Sequence, residues 1–162
     1  MAKNEKPRKS RQSGAKANMR SAARLGAVQA LYQMEIGAQT ITQVMEQFAP
    51  RQAGGELDGD QYLPADVDFL HQIVKGVLKN QLVIDPTIND ALSDEWPVTR
   101  IDVTLRAMLR AGTFELVFRP DIPPNVVISE YVDVANAFYD GEAPAMLNAV
   151  LDKIAHDLPA KS

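Results

Sequence analysis

The stretch from Thr99 to Phe118 (TRIDVTLRAMLRAGTFELVF) carries apolar residues on every side of a helical period. Ile101, Leu105, Met108, Leu109, Gly112 and Leu116 form one stripe; Val103, Phe114 and Val117 occupy the other side. A helix apolar all round has to be enclosed by neighbours. The rest of the chain must therefore supply several more helices to cover this one. At 162 residues the chain has the length of one ordinary domain. A body of that size buries roughly 70% of its unfolded surface, so it needs no covalent staple.

The expected helices are present in the pattern. From Met19 a first helix places Leu25, Val28, Tyr32 and Ile36 on one face and Ala27, Leu31 and Met34 on the next, ending at Gly37. A short helix follows over Ile41 to Phe48, and residues 50–61 read as a Gly-rich, acidic surface loop. Pro64 suits the first turn of a third helix with the stripe Val67, Leu70, Val74, Val77 and Leu78. Asp85-Pro86 reads as a cap and first turn for a short fourth helix over Ile88 and Leu92. Trp96-Pro97 breaks the chain, and Thr99 with Asp102 reads as the start of the central helix. After Asp121-Ile-Pro-Pro, a sixth helix buries Val127, Tyr131, Val134 and Phe138. A seventh, entered at Pro144, buries Leu147, Val150, Leu151 and Ile154. No segment alternates as a strand would. The fold class is all-α, with seven helices packed as a bundle.

Charge divides the chain. Residues 1–24 hold eight basic side chains (Lys3, Lys6, Arg8, Lys9, Arg11, Lys16, Arg20, Arg24) and one acid, Glu5, for about +7; the remainder carries −11 within a total of −4. The expected organisation is a disordered basic arm over 1–17, a helical domain over 18–158 and a tail over 159–162. A basic arm leading into an ordered helix suits a phosphate backbone, and Arg20 and Arg24, four apart, are expected to project together from the body.

Catalytic chemistry finds little support. Zero cysteines exclude a disulfide framework, a thiolate metal site and a cysteine nucleophile. His71 and His156 have no metal-ligand spacing and read as core or capping residues. The pairs Asp66/Asp68, Asp94/Glu95 and Asp58/Asp60 fall in loops or first helical turns, where carboxylates favour a helix N-terminus. No phosphate-cradling loop, nucleophile elbow or dinucleotide fingerprint occurs. A non-enzymatic chain without cofactors is expected. No apolar run is long enough to span a membrane, and the start lacks the apolar segment of a secretory signal, so a cytoplasmic location is expected. On the seventh helix, Met146, Ala149 and Lys153 line up opposite the core stripe, with Glu142 one turn earlier. An apolar spot beside a lysine suits a base and its phosphate.

Four runs resemble the NusB family of transcription antitermination factors: Ala23-Arg-Leu-Gly-Ala-Val-Gln-Ala-Leu-Tyr-Gln33, Leu109-Arg-Ala-Gly-Thr-Phe-Glu-Leu116, Ile128-Ser-Glu-Tyr131 and Leu147-Asn-Ala-Val-Leu-Asp-Lys153. The resemblance covers about residues 19–155. It implies a seven-helix fold in two small packed bundles. It also implies pairing with the ribosomal protein NusE, binding of single-stranded boxA RNA from nascent ribosomal RNA transcripts, and a place in the RNA polymerase antitermination complex. Self-association into a homodimer is also compatible with the family. RNA contact is implied at Arg20, Arg24, Gln29, Met146, Asn148, Ala149 and Lys153, with Arg8, Lys9, Arg11 and Lys16 upstream, and partner contact at Tyr32 and Glu142. This chain departs from the family in having Met146-Leu-Asn-Ala149 for Phe-Val-Asn-Gly, Ser129 for Asn, and Leu105 where many relatives carry an acid. Two other readings compete: a helical protein-interaction module with reduced RNA binding, and a stand-alone relative of the RNA-holding domain of ribosomal RNA methyltransferases. A helix-turn-helix around the fifth and sixth helices fits less well, because its Val/Phe-rich faces suit packing.

Overall fold

The computed structural model describes the backbone of residues 8–52, 66–92 and 98–159, with side chains described from Asn18 to Gln47 in the first of these segments. Pro64, Trp96-Pro97, Asp94/Glu95, Asp58/Asp60 and most of the acidic loop therefore lie outside the described residues.

Seven α-helices and one 3-10 turn make up the regular structure among the described residues. They are α1 (Arg8–Gly37), α2 (Ile41–Gln52), α3 (Val67–Lys79), α4 (Gln81–Ala91), a turn at Val98–Arg100, α5 (Val103–Phe118), α6 (Pro124–Phe138) and α7 (Ala143–Asp157). α1, α2 and α3 pack on one another, as do α4, α5, α6 and α7. The two bundles join where α1 and α3 lie against α5. Every residue from Leu105 to Leu116 except Arg110 is buried, so the helix apolar on all sides is the central one.

Several boundaries differ from those expected, each for a local reason. α1 opens at Arg8, so residues 8–17, expected to lack structure, continue the helix. Ala, Lys, Arg and Gln dominate that segment and favour helix without an apolar stripe. The turn after α1 falls one residue past Gly37, on Ala38, whose φ of 51° is left-handed. α2 begins with a reciprocal cap: Thr40 Oγ1 accepts from Gln43 N at 3.2 Å and Gln43 Oε1 accepts from Thr40 N at 2.9 Å. It runs past Pro50 to Gln52, beyond the expected end at Phe48. Asp66 caps α3, accepting from Phe69 N at 3.0 Å, and its own N–H donates to the Met19 carbonyl of α1 at 3.0 Å.

Asp85-Pro86 does not open α4. Asn80 ends α3 and starts α4 at once: its N–H donates to the Gly76 carbonyl, and its carbonyl accepts from Val83 and Ile84. Pro86 sits inside the helix with its ring exposed, so the bond it cannot donate is lost on the solvent side. Thr99 likewise lies in the 3-10 turn, and Asp102 is the cap of α5, accepting from Leu105 N at 2.9 Å. His71 and His156 are both exposed rather than packed in the core. Phe138, expected inside, is exposed as well. No helix among the described residues is long and apolar enough to cross a membrane.

Candidate nucleic-acid and protein interface

The two arginines expected to project together have different fates. Arg20 stays half-buried, its guanidinium 5.0 Å from the centre of the Phe69 ring. Its Nε is shielded from solvent and makes no hydrogen bond among the described residues. Arg24 turns inward and is 2% exposed, which corrects the expectation that it contacts RNA from the surface. Nε donates to both Glu115 oxygens at 3.2 and 3.0 Å, Nη2 to Glu115 Oε1 at 2.9 Å, and Nη1 to Glu130 Oε1 at 2.8 Å. The physical reason is position. Ala23, Ala27 and Ala30 bring α1 close to its neighbours, and the long arginine stem carries the charge to a carboxylate that is itself 0% exposed.

Each carboxylate also accepts from a hydroxyl. Tyr131 Oη donates to Glu115 Oε2 at 2.5 Å, and Ser21 Oγ donates to Glu130 Oε1 at 2.5 Å. Burial would depress the Arg24 guanidinium, but the hydrogen bonds and charge of Glu115 outweigh it and hold the pKa above the usual arginine value. Burial, followed by the Glu115 charge, pushes the Tyr131 phenol well above its ordinary value. The network ties α1, α5 and α6 together. Glu115, Glu130 and Tyr131 were absent from the sequence-derived site, although Glu115 sits inside the all-apolar helix, where a charge needs a partner.

Along the outer side of α1, Leu25, Gln29, Tyr32 and Ile36 are all exposed and recur at helical spacing. Leu25, Tyr32 and Ile36 were expected to share a packed face with Val28; only Val28 is fully inside. The result is a ridge with three apolar side chains exposed to solvent, Tyr32 among them. The helix backbone carries Arg8, Lys9, Arg11 and Lys16 ahead of this ridge, and their side chains lie outside the described residues.

α7 distributes its candidates over two grooves. Glu142, Met146 and Ala149 line a groove of about 420 Å³ whose opposite wall is Ala91, Leu92, Ile101 and Leu105. Met146 is half-buried there, whereas Glu142 and Ala149 are exposed; Glu142 makes no side-chain cap to the helix it precedes. Lys153, one turn beyond Ala149, is exposed. Asn148 points elsewhere. It lines a second groove, of about 600 Å³, with Asn125, Ser129, Asp133 and Asp152 between α6 and α7. The structure thus groups Met146, Ala149 and Glu142, and separates Asn148 from them. Leu105, where an acid is usual in the family, is a groove wall that is nearly buried.

A second set of charges, also missed from sequence, ties α5 to α1 and α4. Arg106 forms an ion pair with Glu35 of α1, and Arg110 grips Asp85 of α4 at 2.8 and 2.9 Å. Both arginines interrupt the apolar stripe of the central helix, and that is the signal from which they were recoverable.

Among curated proteins, the chain is 56% identical over 140 residues to the transcription antitermination protein NusB of Nitrobacter hamburgensis, spanning 86% of this chain and 88% of that one. It is 49% identical over 152 residues to its counterpart in Rhizobium rhizogenes, with 94% and 91% covered. Among solved structures, NusB from T. maritima superposes with a TM-score of 0.70 at 29% identity, covering 85% of this chain and 91% of that one. The same fold recurs in a crystal structure of antitermination factors NusB and NusE in complex with dsRNA, with a TM-score of 0.71 at 22% identity, over 86% and 98% of the two chains. The NusB family profile matches residues 21–156, and the chain belongs to the NusB family.

Proposed function

We propose that this chain is a cytoplasmic, non-enzymatic transcription antitermination factor that pairs with the ribosomal protein NusE to hold boxA RNA in the RNA polymerase antitermination complex. The observation that carries this is the 56% identity, over most of the chain, to a protein named for transcription antitermination. The geometry supports a division of labour. The basic start of α1 from Arg8 to Arg20 supplies backbone attraction, and Met146, Ala149 and Lys153 offer a base-sized apolar spot beside a cation. The Leu25, Tyr32 and Ile36 ridge, flanked by an acidic body, suits a basic protein partner whose approach complementary charge would steer. Arg24 has no direct part in this reading. Gln29 belongs to the exposed side of α1, and Asn148 contacts RNA only if the strand crosses α7 towards α6.

Fluorescence anisotropy of a boxA-like single-stranded RNA, with and without NusE and across salt concentrations, tests the proposal. The full chain is compared with one starting at Ala17. The expected result is sequence-selective binding that NusE tightens, with a salt slope made shallower by truncation, at roughly 0.7 on the log–log plot per lost phosphate contact. Binding to NusE with no RNA selectivity would instead identify a protein-interaction module.

A further inference from the structure

We propose that Arg106 is the positioning residue through which the partner ridge of α1 sets the wall of the α7 groove, so that a protein on the ridge strengthens RNA binding in the groove. The inference rests on the RNA-and-partner reading above. Arg106 lies in α5, nearly buried, and its guanidinium faces two ways. Nη2 meets Glu35 of α1, one turn from Tyr32 and adjacent to Ile36. Nη1 donates to the carbonyls of Ile101 at 2.6 Å, Thr99 at 3.3 Å and Val98 at 3.5 Å.

Those carbonyls belong to the short turn that carries Ile101 into the groove opposite Met146 and Ala149. Two further bonds fix the turn from its other sides. Val98 N donates to Asn89 Oδ1 at 2.8 Å, and Tyr139 Oη donates to the Asp102 oxygens at 2.6 and 2.8 Å. Neither bond reaches α1. Arg106 is the described side chain that joins the ridge to the turn directly, and Glu35 is its α1 end. Glu35 is itself 36% exposed, so a docked partner can cover it. Covering it removes water from the pair, strengthens the grip on Arg106 and fixes the turn. By linkage, RNA in the groove must tighten partner binding by the same factor.

The test uses the full chain, NusE and the boxA-like RNA, and reads the factor by which saturating NusE tightens RNA. Allosteric couplings in general run from about 5- to 150-fold. Glu35→Gln removes the charge that pairs with Arg106 and, at 3.6 Å, with Arg110, but leaves the carbonyl bonds of Arg106 intact, so Arg106→Gln separates the two ties. It is expected to keep RNA affinity without NusE within about twofold and to lower the tightening factor at least threefold. Arg106→Gln is expected to lower both, and Arg106→Lys to restore the RNA affinity in part. A purely structural role would lower the melting temperature without changing the tightening factor. Tightening in both Glu35→Gln and Arg106→Gln equal to wild type would overturn the inference while leaving the function standing. A wild-type chain that binds RNA without any response to NusE removes both.

Discussion

Replacing Arg24 by alanine is expected to damage the fold and leave RNA binding of the folded protein intact. The guanidinium makes four bonds of 2.8 to 3.2 Å to Glu115 and Glu130. Its removal leaves Glu115, which is 0% exposed, with the Tyr131 hydroxyl as its remaining partner among the described residues. Breaking one side of a buried pair costs about 3–5 kcal/mol, because the surviving charge stays out of water. The variant also loses the arginine face held 5.1 Å from the centre of the Phe69 ring. A total stability of about 5–15 kcal/mol makes that a large fraction. At about 2–4 °C per kcal/mol, the midpoint should fall by about 6–20 °C. Urea melts followed by far-UV circular dichroism give the free energy directly. The double variant Arg24→Met with Glu115→Gln should recover about half of the loss or more, since the carboxylate then left without its arginine, Glu130, is 22% exposed and keeps the Ser21 hydroxyl. RNA affinity, measured well below both midpoints, should stay within about twofold of wild type. A stability loss below about 1 kcal/mol, the value of an exposed pair, together with a tenfold loss of RNA affinity would refute the burial argument and return Arg24 to the surface.

Three other outcomes follow from the same structure. Gly76→Ala would place a methyl 2.0 Å from Phe114 Cε1, against a ring already stacked on Phe118 at 5.7 Å. It should cost about 1–3 kcal/mol or more, and Phe114→Leu in the same chain should relieve part of that in a double-mutant cycle. Tyr131 keeps its proton in the folded state to higher pH than in the unfolded chain. Its contribution is therefore complete below about pH 10 and is lost as pH rises, by about 1.4 kcal/mol per unit; urea melts between pH 9 and 11 should show that much less slope in Tyr131→Phe. Asp102→Ala removes both the α5 cap and the acceptor of Tyr139, and should cost about 0.5–2 kcal/mol, whereas Asp102→Asn should retain most of the cap in a thermal melt.

How far the sequence reveals this molecule depends on the kind of interaction involved. The central helix was legible because burial on all sides leaves its mark in apolar periodicity. The seven helices and the core stripe of α7 follow from the same signal, and the structure keeps them. Helix ends were less legible, because competing caps lie close together. Asp85-Pro86 has the residues of a helix start, yet Asn80 starts α4 earlier and Asp85 serves Arg110. The site was legible as a list of surface positions on α7 and as a basic start to α1. The fate of each charged side chain was not, since periodicity reports where Cα lies and not where a long side chain ends. Arg24 shows this most clearly: its spacing from Arg20 predicts a shared surface, but its tip finds Glu115, 91 residues away.

The length of α1 gives the proposed function a geometric basis. It spans 30 residues, about 45 Å at 1.5 Å per residue. Its first part carries the basic residues and its last part carries Tyr32, Glu35 and Ile36, with the Arg24 network fastening the middle to α5 and α6. RNA and protein contacts on one rod cannot shift independently unless that fastening gives way. A change at the basic end alone, such as removal of residues 1–16, should alter RNA binding and its salt dependence while NusE affinity measured without RNA stays the same. If truncation weakened NusE binding in the absence of RNA as much as it weakened RNA binding, the basic segment would be a partner contact, and the division of α1 into two functional ends would fail.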